Sequence, residues 1–353
     1  MPNQTIETPH LLLRALSGGG EHSFGLWSAV LKSSGEMIGD AGIVPSDIEG
    51  SLVPEIAYHF NPDYWQDDYA SEAVAACKEY AFNQLGFKEV FAVVRSTNIP
   101  AKNVAIRSGM LLRQRIVRPF CGEETPHFVL SAKNPPELLK MDDFFTAQAP
   151  AYDEYMLDNV EGFAEGCAQL AKHVPEGAKT LLDLGCGTGL ELAEIFKLYP
   201  DMQVTGMDIT QAMLDKLAEK YHDRQINLIC ASYLDCDFGH KKYDCVVSLE
   251  TMHHWTHEEK RALYANILKA LKPGGRYIEG DYMAESQAAE DRLLAERKKL
   301  REAQNIPAGA FYHFDIPCTV ENQTKLLLHS GFTRVDKVWH KGKTAILVCQ
   351  KQK

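Results

Sequence analysis

The sequence predicts a two-domain α/β protein, in which a mixed-sheet α+β domain precedes a doubly wound parallel sheet. Paired prolines, Pro135 and Pro136, separate a strand-like segment from a helix-like one, and proline interrupts both periodicities. Before them, apolar and polar residues alternate between turn signals, as in antiparallel strands. After them, short apolar strands alternate with helices, as in a parallel sheet. We therefore place domains at residues 1–133 and 141–353, joined by a linker at 134–140.

Length, charge and cysteine content narrow the class of protein. A chain of 353 residues is long enough for two domains, and its 45% hydrophobic and 24% charged residues are typical of globular proteins. The net charge of −11 opposes binding to nucleic acid. No apolar run approaches the about 20 residues of a membrane span, and the N-terminus lacks signal-peptide features. We expect a cytoplasmic protein whose nine cysteines, none in a C-x-x-C pair, are reduced.

The first domain alternates strands with two helices. Four strand-like segments come first, followed by a helix in which Ala73, Cys77, Tyr80 and Leu85 share one face and which Gly86 ends. A further strand and a second helix follow. The segments in order are HLLLRAL, GLWSAVLK, EMIGDAGIV, PEIAYHF, YASEAVAACKEYAFNQLGF, EVFAVVRS and IPAKNVAIRSGML.

This order resembles the Gcn5-related N-acetyltransferase family, in the branch that acetylates protein N-termini or small amines. The resemblance covers about residues 36–112 and rests on IGDAGI, EIAYHFNPDYW, YASEAV and NIPAKNVAIRSGM. In that family the turn before the helix runs Arg/Gln-x-x-Gly-x-Gly/Ala. The resemblance implies that its backbone N–H groups and the helix N-terminus bind the pyrophosphate of acetyl-CoA.

Two departures from the family concern this acetyl-CoA site. The turn here reads WQDDYA, so that Asp67 and Asp68 stand where lysine and glycine are usual. Two carboxylates repel a pyrophosphate, and a side chain in place of glycine blocks close backbone approach. The helices that shape the family's acceptor pocket are replaced by the short segment SGGGEHS. We expect a degenerate domain without acetyl-CoA, serving structure, dimerisation or ligand sensing; an active acetyltransferase with unusual phosphate contacts is the alternative.

The second domain contains the strongest motif of the chain, TLLDLGCGTGLELAEIF. An apolar strand runs directly into Gly185, Gly187 and Gly189 and then into a helix, with G-x-G-x-G spacing. The next strand ends at Asp208, where an acid can bind both hydroxyls of a ribose. Loop, spacing and acid together predict a nucleoside site at the carboxyl edge of the sheet. The remaining strand and helix segments are INLICASYLDCDF, YDCVVSLETMHHW, HEEKRALYANILKALKPGGRYIEGDY, TVENQTKLLLHSGFTRVDKVW and TAILVCQ.

This half resembles a class I S-adenosylmethionine-dependent methyltransferase over about residues 141–351. The resemblance implies a Rossmann-like, seven-stranded sheet whose last strand is antiparallel, with S-adenosylmethionine as cofactor. Ser232 stands where the family usually has an aspartate for the adenine amino group. The backbone of Tyr233 is therefore expected to matter more for binding the adenine. The other implied donor residues are Asp183, Gly185, Gly187 and Gly189 for methionine and ribose, Asp208 for ribose, Ile209 and Met213 for adenine, and Tyr152 in the lid helix.

Methyl transfer requires alignment of a nucleophile, exclusion of water and in some cases removal of a proton. The candidate bases are His254 and Asp281, and catalysis by proximity alone stays open. The pair His253-His254 has the form of a metal site, but we expect it to line the pocket without a metal. The remaining candidate acceptor residues, from loops at the carboxyl edge, are His253, Trp255, Glu279, Tyr282, Tyr312 and His313.

The leading function is methyl transfer to a small-molecule acceptor. The alternatives are a bifunctional acetyltransferase and methyltransferase, a protein or tRNA methyltransferase, and a sensor that binds S-adenosylmethionine without turnover. We expect neither a nucleic-acid nor a membrane partner, and a homodimer formed through the first domain. The residues favour no particular methyl-accepting atom among N, O, S and C.

Overall fold

The computed structural model describes residues 5–15 and 25–352, and the side chains of Gln66, Ala151 and Asn159 are left out of the description. The chain divides into two compact units, Met1–Glu137 and Leu138–Lys353. The division falls inside the segment 134–140 in which the sequence analysis places the linker. The segment SGGGEHS, where we expected the acceptor helices to be missing, lies outside the described residues.

The first unit contains one mixed sheet, with eight strands among the described residues in the order β1-β2-β3-β4-β5-β6-β8-β7. All neighbours are antiparallel except β5 and β6, which are parallel and paired only at Glu55 and Phe91. The two strands therefore pair through this one pair of residues and splay apart beyond it. The bounds are β1 Ile6–Glu7, β2 Leu11–Ala15, β3 Leu26–Leu31, β4 Met37–Ile48, β5 Ser51–Phe60, a 3₁₀ turn Pro62–Asp67, α1 Tyr69–Asn83, β6 Glu89–Arg95, α2 Ile99–Arg107, β7 Leu111–Phe120 and β8 Glu123–Lys133.

Helix α1 packs its small residues on the sheet, as the periodicity of its sequence predicts. Ala73, Val74, Cys77 and Ala81 are buried on one face of the helix. Tyr80 meets the fully buried Trp27 edge to face, with ring centroids 5.3 Å apart. This burial fixes α1 against the strands, with its N-terminus directly after the turn that the sequence analysis singled out.

The second unit is the predicted seven-stranded doubly wound sheet, in the order β11-β10-β9-β12-β13-β15-β14. Strands β9 to β13 are parallel, and β15 is antiparallel to both of its neighbours. Helices α3 to α5 precede the first strand of this sheet. The bounds are α3 Met141–Gln148, α4 Tyr152–Asn159, α5 Phe163–His173, β9 Thr180–Leu184, α6 Leu190–Leu198, β10 Gln203–Asp208, α7 Gln211–Lys220, β11 Ile226–Cys230, β12 Tyr243–Leu249, α8 His257–Ala270, β13 Leu271–Tyr282, α9 Gln287–Ala303, α10 Val320–His329, β14 Arg334–Lys341 and β15 Thr344–Gln350.

The strand order of this second sheet determines where a ligand can bind. The chain moves outward from β9 to β11 on one side and then returns to β12 on the other. The loops after β9 and β12 consequently diverge and leave a crevice at the carboxyl edge, the usual ligand position in open α/β sheets.

Candidate functional site

A cavity opens at this carboxyl edge. It contains about 520 Å³ of unfilled space, part of it open to solvent. Every predicted donor residue lines it except Asp183 and Gly189. Its lining residues are Met141, Phe145, Tyr152, Gly185, Gly187, Asp208, Ile209, Met213, Ser232, Tyr233, Glu250, Thr251, His254 and Trp255.

The three glycines after β9 have different tasks. All have positive φ, 69° at Gly185, 48° at Gly187 and 73° at Gly189, a region that L side chains rarely adopt. A Cβ at Gly185 would lie 2.5 Å from Thr251 Oγ1, and one at Gly189 would lie 3.0 Å from the Tyr221 ring. At Gly187 it would meet only Tyr152, at 3.8 Å. Gly185 and Gly189 thus allow the loop to pack, while Gly187 presents bare backbone to the cavity.

Asp208, at the end of β10, holds the glycine loop in place. Its Oδ2 accepts a hydrogen bond of 3.0 Å from the Gly187 N–H, and its Oδ1 accepts one of 2.8 Å from the Thr210 N–H. Each carboxylate oxygen has a second lone pair, so Asp208 can still accept hydrogen bonds from a ligand's hydroxyls. Burial raises the pKa of Asp208.

Asp183 and Glu191 form a buried acidic pair behind the loop. Asp183 is fully buried, and neither of its oxygens makes a hydrogen bond of good geometry within the described part of the chain. Burial, followed by the charge of Glu191, raises the pKa of Asp183 well above its ordinary value. Burial also raises the pKa of Glu191 to about 7. The pair therefore holds a proton that an incoming cation would displace.

The cavity wall around Tyr233 is rigid. The Tyr233 hydroxyl lies 2.7 Å from Thr251 Oγ1 and accepts a hydrogen bond of 2.5 Å from the Trp255 indole N–H. Ser232 Oγ accepts a bond of 3.3 Å from the Leu234 N–H. The Tyr233 and Trp255 side chains thus bond within the fold, whereas the Ser232 hydroxyl keeps its own hydrogen to donate to a ligand.

Helices α3 and α4 cover the cavity, and α4 is tied to the glycine loop. Asp153 accepts a hydrogen bond from the Thr188 hydroxyl and pairs with Lys220 at 2.7 Å. Lys220 also donates to the Thr188 carbonyl, at 2.9 Å. Met141, Phe145 and Tyr152 face the cavity from these helices, and burial raises the pKa of Tyr152.

Three histidines and two aspartates lie close together beside the cavity. We call them the histidine cluster: His253, His254, His313, Asp281 and Asp315. His253 Nδ1 lies 2.7 Å from Asp281 Oδ1. His254 Nδ1 and His313 Nε2 lie 3.2 and 3.4 Å from Asp315 Oδ1. His254 is the one member of the cluster that lines the cavity.

The two adjacent histidines have opposite pKa shifts. Burial lowers the pKa of His253, but the Asp281, Asp315 and Glu250 carboxylates outweigh it and raise the pKa to about 9. Burial, followed by the charge of His253, lowers the pKa of His254. His254 is therefore a neutral imidazole at the cavity wall at pH 7.

The other predicted acceptor residues do not all line the cavity. Trp255 lines the cavity, and the Tyr282 ring packs on His253 with centroids 5.8 Å apart. The His313 ring stacks on Phe144 at 3.6 Å, and Tyr312 forms a backbone bridge to Lys140.

The prediction that Glu279 lines the acceptor pocket is not supported by its position. Its carboxylate accepts hydrogen bonds of 2.8 Å from Tyr264 and 2.8 Å from Tyr277, and it is fully buried. Glu279 and Asp281 share one face of β13, but only Asp281 lies near enough to the strand end to reach the histidine cluster. Glu279 instead lies deeper, beneath α8 and α10.

Sequence reasoning missed several residues that line the cavity. Glu250 and Thr251 directly follow β12, and Met141 and Phe145 belong to the covering helix. Burial raises the pKa of Glu250 to about 7. The acid in SLETMHHW follows the carboxyl end of an apolar strand, as Asp208 does, and this was the available signal.

In the first unit, the turn before α1 is occupied by the chain's own ion pair. Asp68 adopts φ 56°, the conformation for which glycine is favoured, and its Oδ1 lies 3.3 Å from Arg107 Nη2. Arg107 also donates to Ser71 Oγ at 3.2 Å. Where β5 and β6 splay apart, Glu55 accepts a hydrogen bond of 3.4 Å from the Val93 N–H.

Comparisons with known proteins give each unit a family. A model described as a methyltransferase domain matches residues 181–275, and one described as an acetyltransferase (GNAT) domain matches residues 4–111. The chain thus contains a methyltransferase domain preceded by a GNAT domain. No helix in residues 5–15 and 25–352 is long and apolar enough to cross a membrane.

Several curated proteins are similar to parts of the chain. The uncharacterized protein YkkB of Bacillus subtilis is 41% identical over 85 residues, which are 24% of this chain and 49% of that protein. The O-methyltransferase cnsE of Penicillium expansum is 26% identical over 166 residues, 46% of this chain and 55% of that protein. The chain spans about half the length of these curated relatives. A carboxy-S-adenosyl-L-methionine synthase of Campylobacter hominis is 25% identical over 234 residues, 61% of this chain and 97% of that protein.

Among solved structures, an O-methyltransferase family protein from Burkholderia thailandensis is 16% identical, with a TM-score of 0.47 over 61% of this chain and 64% of that one.

Proposed function

We propose that the protein transfers a methyl group from S-adenosylmethionine to a hydroxyl group of a small molecule. The observation that supports this most is one cavity that is lined by Gly187, by Asp208 and by His254. A donor bound at the glycine loop would thus share one cavity with a proton-accepting imidazole. Similarity to several O-methyltransferases favours oxygen as the methyl-accepting atom.

The charge of the cavity fits this donor. The carboxylates of Asp208 and Glu250 line it, and the buried pair Asp183 and Glu191 lies behind the loop. Positive sulfonium and ammonium groups would offset these charges and give the unpartnered oxygens of Asp183 an interaction. When bound, the donor supplies a methyl group already activated by the sulfonium.

The chain's own residues would perform the remaining tasks. The covering helices, held by Asp153 and Lys220, would exclude water. An acceptor hydroxyl beside His254 must lose its proton as the methyl is transferred, and His254 and Glu250 are the candidate bases that line the cavity. Asp281 does not line the cavity, so it would position His253 and not contact the acceptor.

The rival donor chemistry is suggested by the similarity to carboxy-S-adenosyl-L-methionine synthases, one of which is matched over 97% of its length. A carboxylated donor carries an extra negative charge, which lysine or arginine would stabilise. The described residues that line the cavity include neither, and Glu250 would repel it. Methyl transfer is therefore favoured, and mass spectrometry of the nucleoside products distinguishes the two reactions.

We further propose that the GNAT domain does not bind acetyl-CoA and serves structure, dimerisation or ligand sensing. Asp68 places a carboxylate at the N-terminus of α1, and Arg107 already pairs with it. Glu55 adds a further acid in the opening between β5 and β6. A bifunctional acetyltransferase and methyltransferase is the alternative.

The test starts with calorimetry of the full chain against S-adenosylmethionine, S-adenosylhomocysteine and acetyl-CoA. We expect binding of the first two only, with the cationic donor bound at least as tightly as its neutral product. Methyl transfer from labelled donor to a panel of hydroxylated small molecules then identifies the acceptor class. His254→Asn should lower kcat about 10²–10⁴-fold with donor affinity nearly unchanged.

The matched control is His240→Asn, because His240 is exposed and does not line the cavity. Donor binding without transfer to any acceptor would instead support the sensor alternative. An unchanged kcat in His254→Asn would instead favour catalysis by proximity alone, without His254 as a base.

A further inference from the structure

Two atoms of the histidine cluster are buried without a hydrogen bond of good geometry: His254 Nδ1 and Asp315 Oδ1. They lie 3.2 Å apart, and His253 Nε2 lies 3.6 Å from the same oxygen. Buried nitrogen and oxygen atoms are nearly always satisfied in folded proteins. Three atoms that prefer a shared partner therefore converge on one point.

The spacing fits a shared metal ion. Zinc ligands lie about 2.0–2.2 Å from the ion, so that two ligands of a tetrahedral site lie roughly 3.3–3.5 Å apart. The two nitrogen–oxygen distances of 3.2 and 3.6 Å bracket this value. The three ligand atoms all lie within 4.8 Å of one another.

A second carboxylate orients one of the imidazoles. Asp281 Oδ1 lies 2.7 Å from His253 Nδ1, and Asp281 is almost fully buried. The Nδ1–H of His253 donates this hydrogen bond, so that Nε2, which would lose its proton when an ion binds, faces Asp315. Histidines that bind metals usually donate their other ring N–H in this way, which fixes the tautomer.

We propose that His253 Nε2, His254 Nδ1 and Asp315 Oδ1 bind a divalent transition-metal ion of the zinc class. Two imidazoles and one carboxylate suit such ions, and three protein ligands leave a position open to a substrate. Because His254 lines the cavity, the ion would lie at the cavity's edge. The side chain of Asp315 is 44% exposed, which gives the ion a path of entry.

The ion's role rests on the proposed function. An acceptor hydroxyl in the open position would have a lowered pKa and lose its proton to water or to Glu250, which lines the same cavity, and His254 would then act as a ligand and not as the base. Its oxygen would then bond the methyl carbon as the carbon–sulfur bond breaks, with the electron pair staying on sulfur. The product would be a neutral thioether and a methyl ether.

Two other groups of ligand-type residues lie close together, but their atoms already have partners. In the first, His257 Nε2 lies 2.6 Å from Glu290 Oε1, and Lys260 Nζ lies 3.3 Å from Cys318 Sγ. The ammonium group of Lys260 would repel a metal ion.

The second group shares His253 but uses its other nitrogen. Its Nδ1 is too close to Asp281, at 2.7 Å, for both to bind one ion, and Glu250 accepts a bond of 2.6 Å from the Thr344 hydroxyl. Among the described residues, only the group of His253, His254 and Asp315 combines ligand spacing with unpartnered atoms.

The experiment measures metal binding by the full chain after treatment with a chelator, without donor or acceptor. Zinc is titrated by calorimetry, and Co²⁺ is titrated by the visible absorption of tetrahedral cobalt. We expect one ion per chain with a micromolar or lower Kd. His254→Gln and Asp315→Asn should each weaken binding at least 100-fold, and Asp281→Asn about 10–100-fold.

The matched controls are His257→Gln and Cys318→Ser, which remove two ligand atoms of the rival group and should leave the affinity unchanged. Circular dichroism and donor binding verify that each variant folds. Absence of a stoichiometric ion in the unmodified protein would overturn the proposal whether or not the variants fold. Unweakened binding in a folded His254→Gln protein would do the same.

Activity separates this proposal from the proposed function. Removal of the ion should lower methyl transfer at least tenfold, with recovery when zinc is added. An ion bound through His254 in a protein that methylates no acceptor would support the site and defeat the proposed function. Full activity of the metal-free protein would support methyl transfer and overturn the ion's part in it.

Discussion

The turn before α1 and the loop before α6 are the same kind of element with opposite chemistry. Each leads from a strand to a helix N-terminus, and each contains residues at positive φ. The loop before α6 has glycine at all three such positions, whereas the turn before α1 has Asp68. Both elements thus use positive φ before the helix, and we expect the side chain at that position to determine how closely a ligand can approach the backbone.

The acids near these two elements differ in burial and partners. Asp183 and Glu191 are buried behind the glycine loop and hold a proton, although the charge of Lys220 acts on Glu191. Asp68 is 71% exposed and paired with Arg107. We expect the first arrangement to attract a cationic donor and the second to repel a pyrophosphate, so that the position of the acids, more than their number, would determine the sign of the ligand.

The largest effect is expected for Gly185→Ala. Its Cβ would lie 2.5 Å from Thr251 Oγ1 at φ 69°. Strain and overlap together should lower the free energy of unfolding by about 3–5 kcal/mol and abolish donor binding. Urea unfolding and calorimetry measure the two effects.

Gly177→Ala is the control for Gly185→Ala, because Gly177 has φ 75° and nothing lies within 4 Å of its added Cβ. It carries the conformational strain alone and should cost about 1 kcal/mol. Equal losses in the two variants would show that packing against Thr251 is not what the glycine provides.

Asp208→Ala should weaken binding of S-adenosylmethionine by about 2–4 kcal/mol. The substitution removes charge-assisted contacts to the ribose and frees the Gly187 N–H, which Asp208 holds at 3.0 Å. Calorimetry measures the affinity, with the exposed Asp201→Ala as control. Unchanged affinity would remove Asp208 from the donor site.

The buried acids predict that donor affinity depends on pH. Because the pKa of Glu191 is raised to about 7, the free protein holds a proton that a bound cation would release. Affinity should therefore rise about tenfold from pH 6 to pH 8. The stability of the free protein should have the opposite slope, because the folded state binds more protons than the unfolded state between about pH 4.5 and 7.

Calorimetry and urea unfolding across this pH range test both slopes. Glu191→Gln removes the titrating group and should flatten them. Slopes that persist in Glu191→Gln would assign the titration to other groups in the site.

The types of most elements and many of the residues that line the cavity could be predicted because they depend on local patterns. The strand before Gly185 and the acid at Asp208 are read from a few adjacent residues, and periodicity correctly placed α1. The surroundings of Glu279 could not be predicted, because its depth along β13 depends on how α8 and α10 cover the strand, which a local pattern does not contain.

The histidine cluster was only partly predictable for a similar reason. The pair His253-His254 is adjacent in sequence, but Asp315 lies about sixty residues further on. The loop after α9 brings it within 3.2 Å of His254. Single residues named separately in the sequence thus become a site only through long-range packing.

The smallest effect, on acetyl-CoA binding, tests the turn before α1. We predict no binding by the unmodified protein at physiological concentrations and a gain of about tenfold or more in Asp67→Lys/Asp68→Gly. The repulsion between a carboxylate and a phosphate about 5 Å apart is about 1 kcal/mol in water and several times larger near a protein surface. Glycine at position 68 also suits φ 56° and removes the carboxylate that pairs with Arg107. Calorimetry measures the affinity, and Asp63→Asn, in the same exposed turn, controls for loss of charge.

Acetyl transfer should not appear, because only ten residues separate Ala15 from Leu26, too few for the family's acceptor helices. A micromolar Kd for the unmodified protein would contradict the degenerate-domain interpretation and favour the bifunctional enzyme.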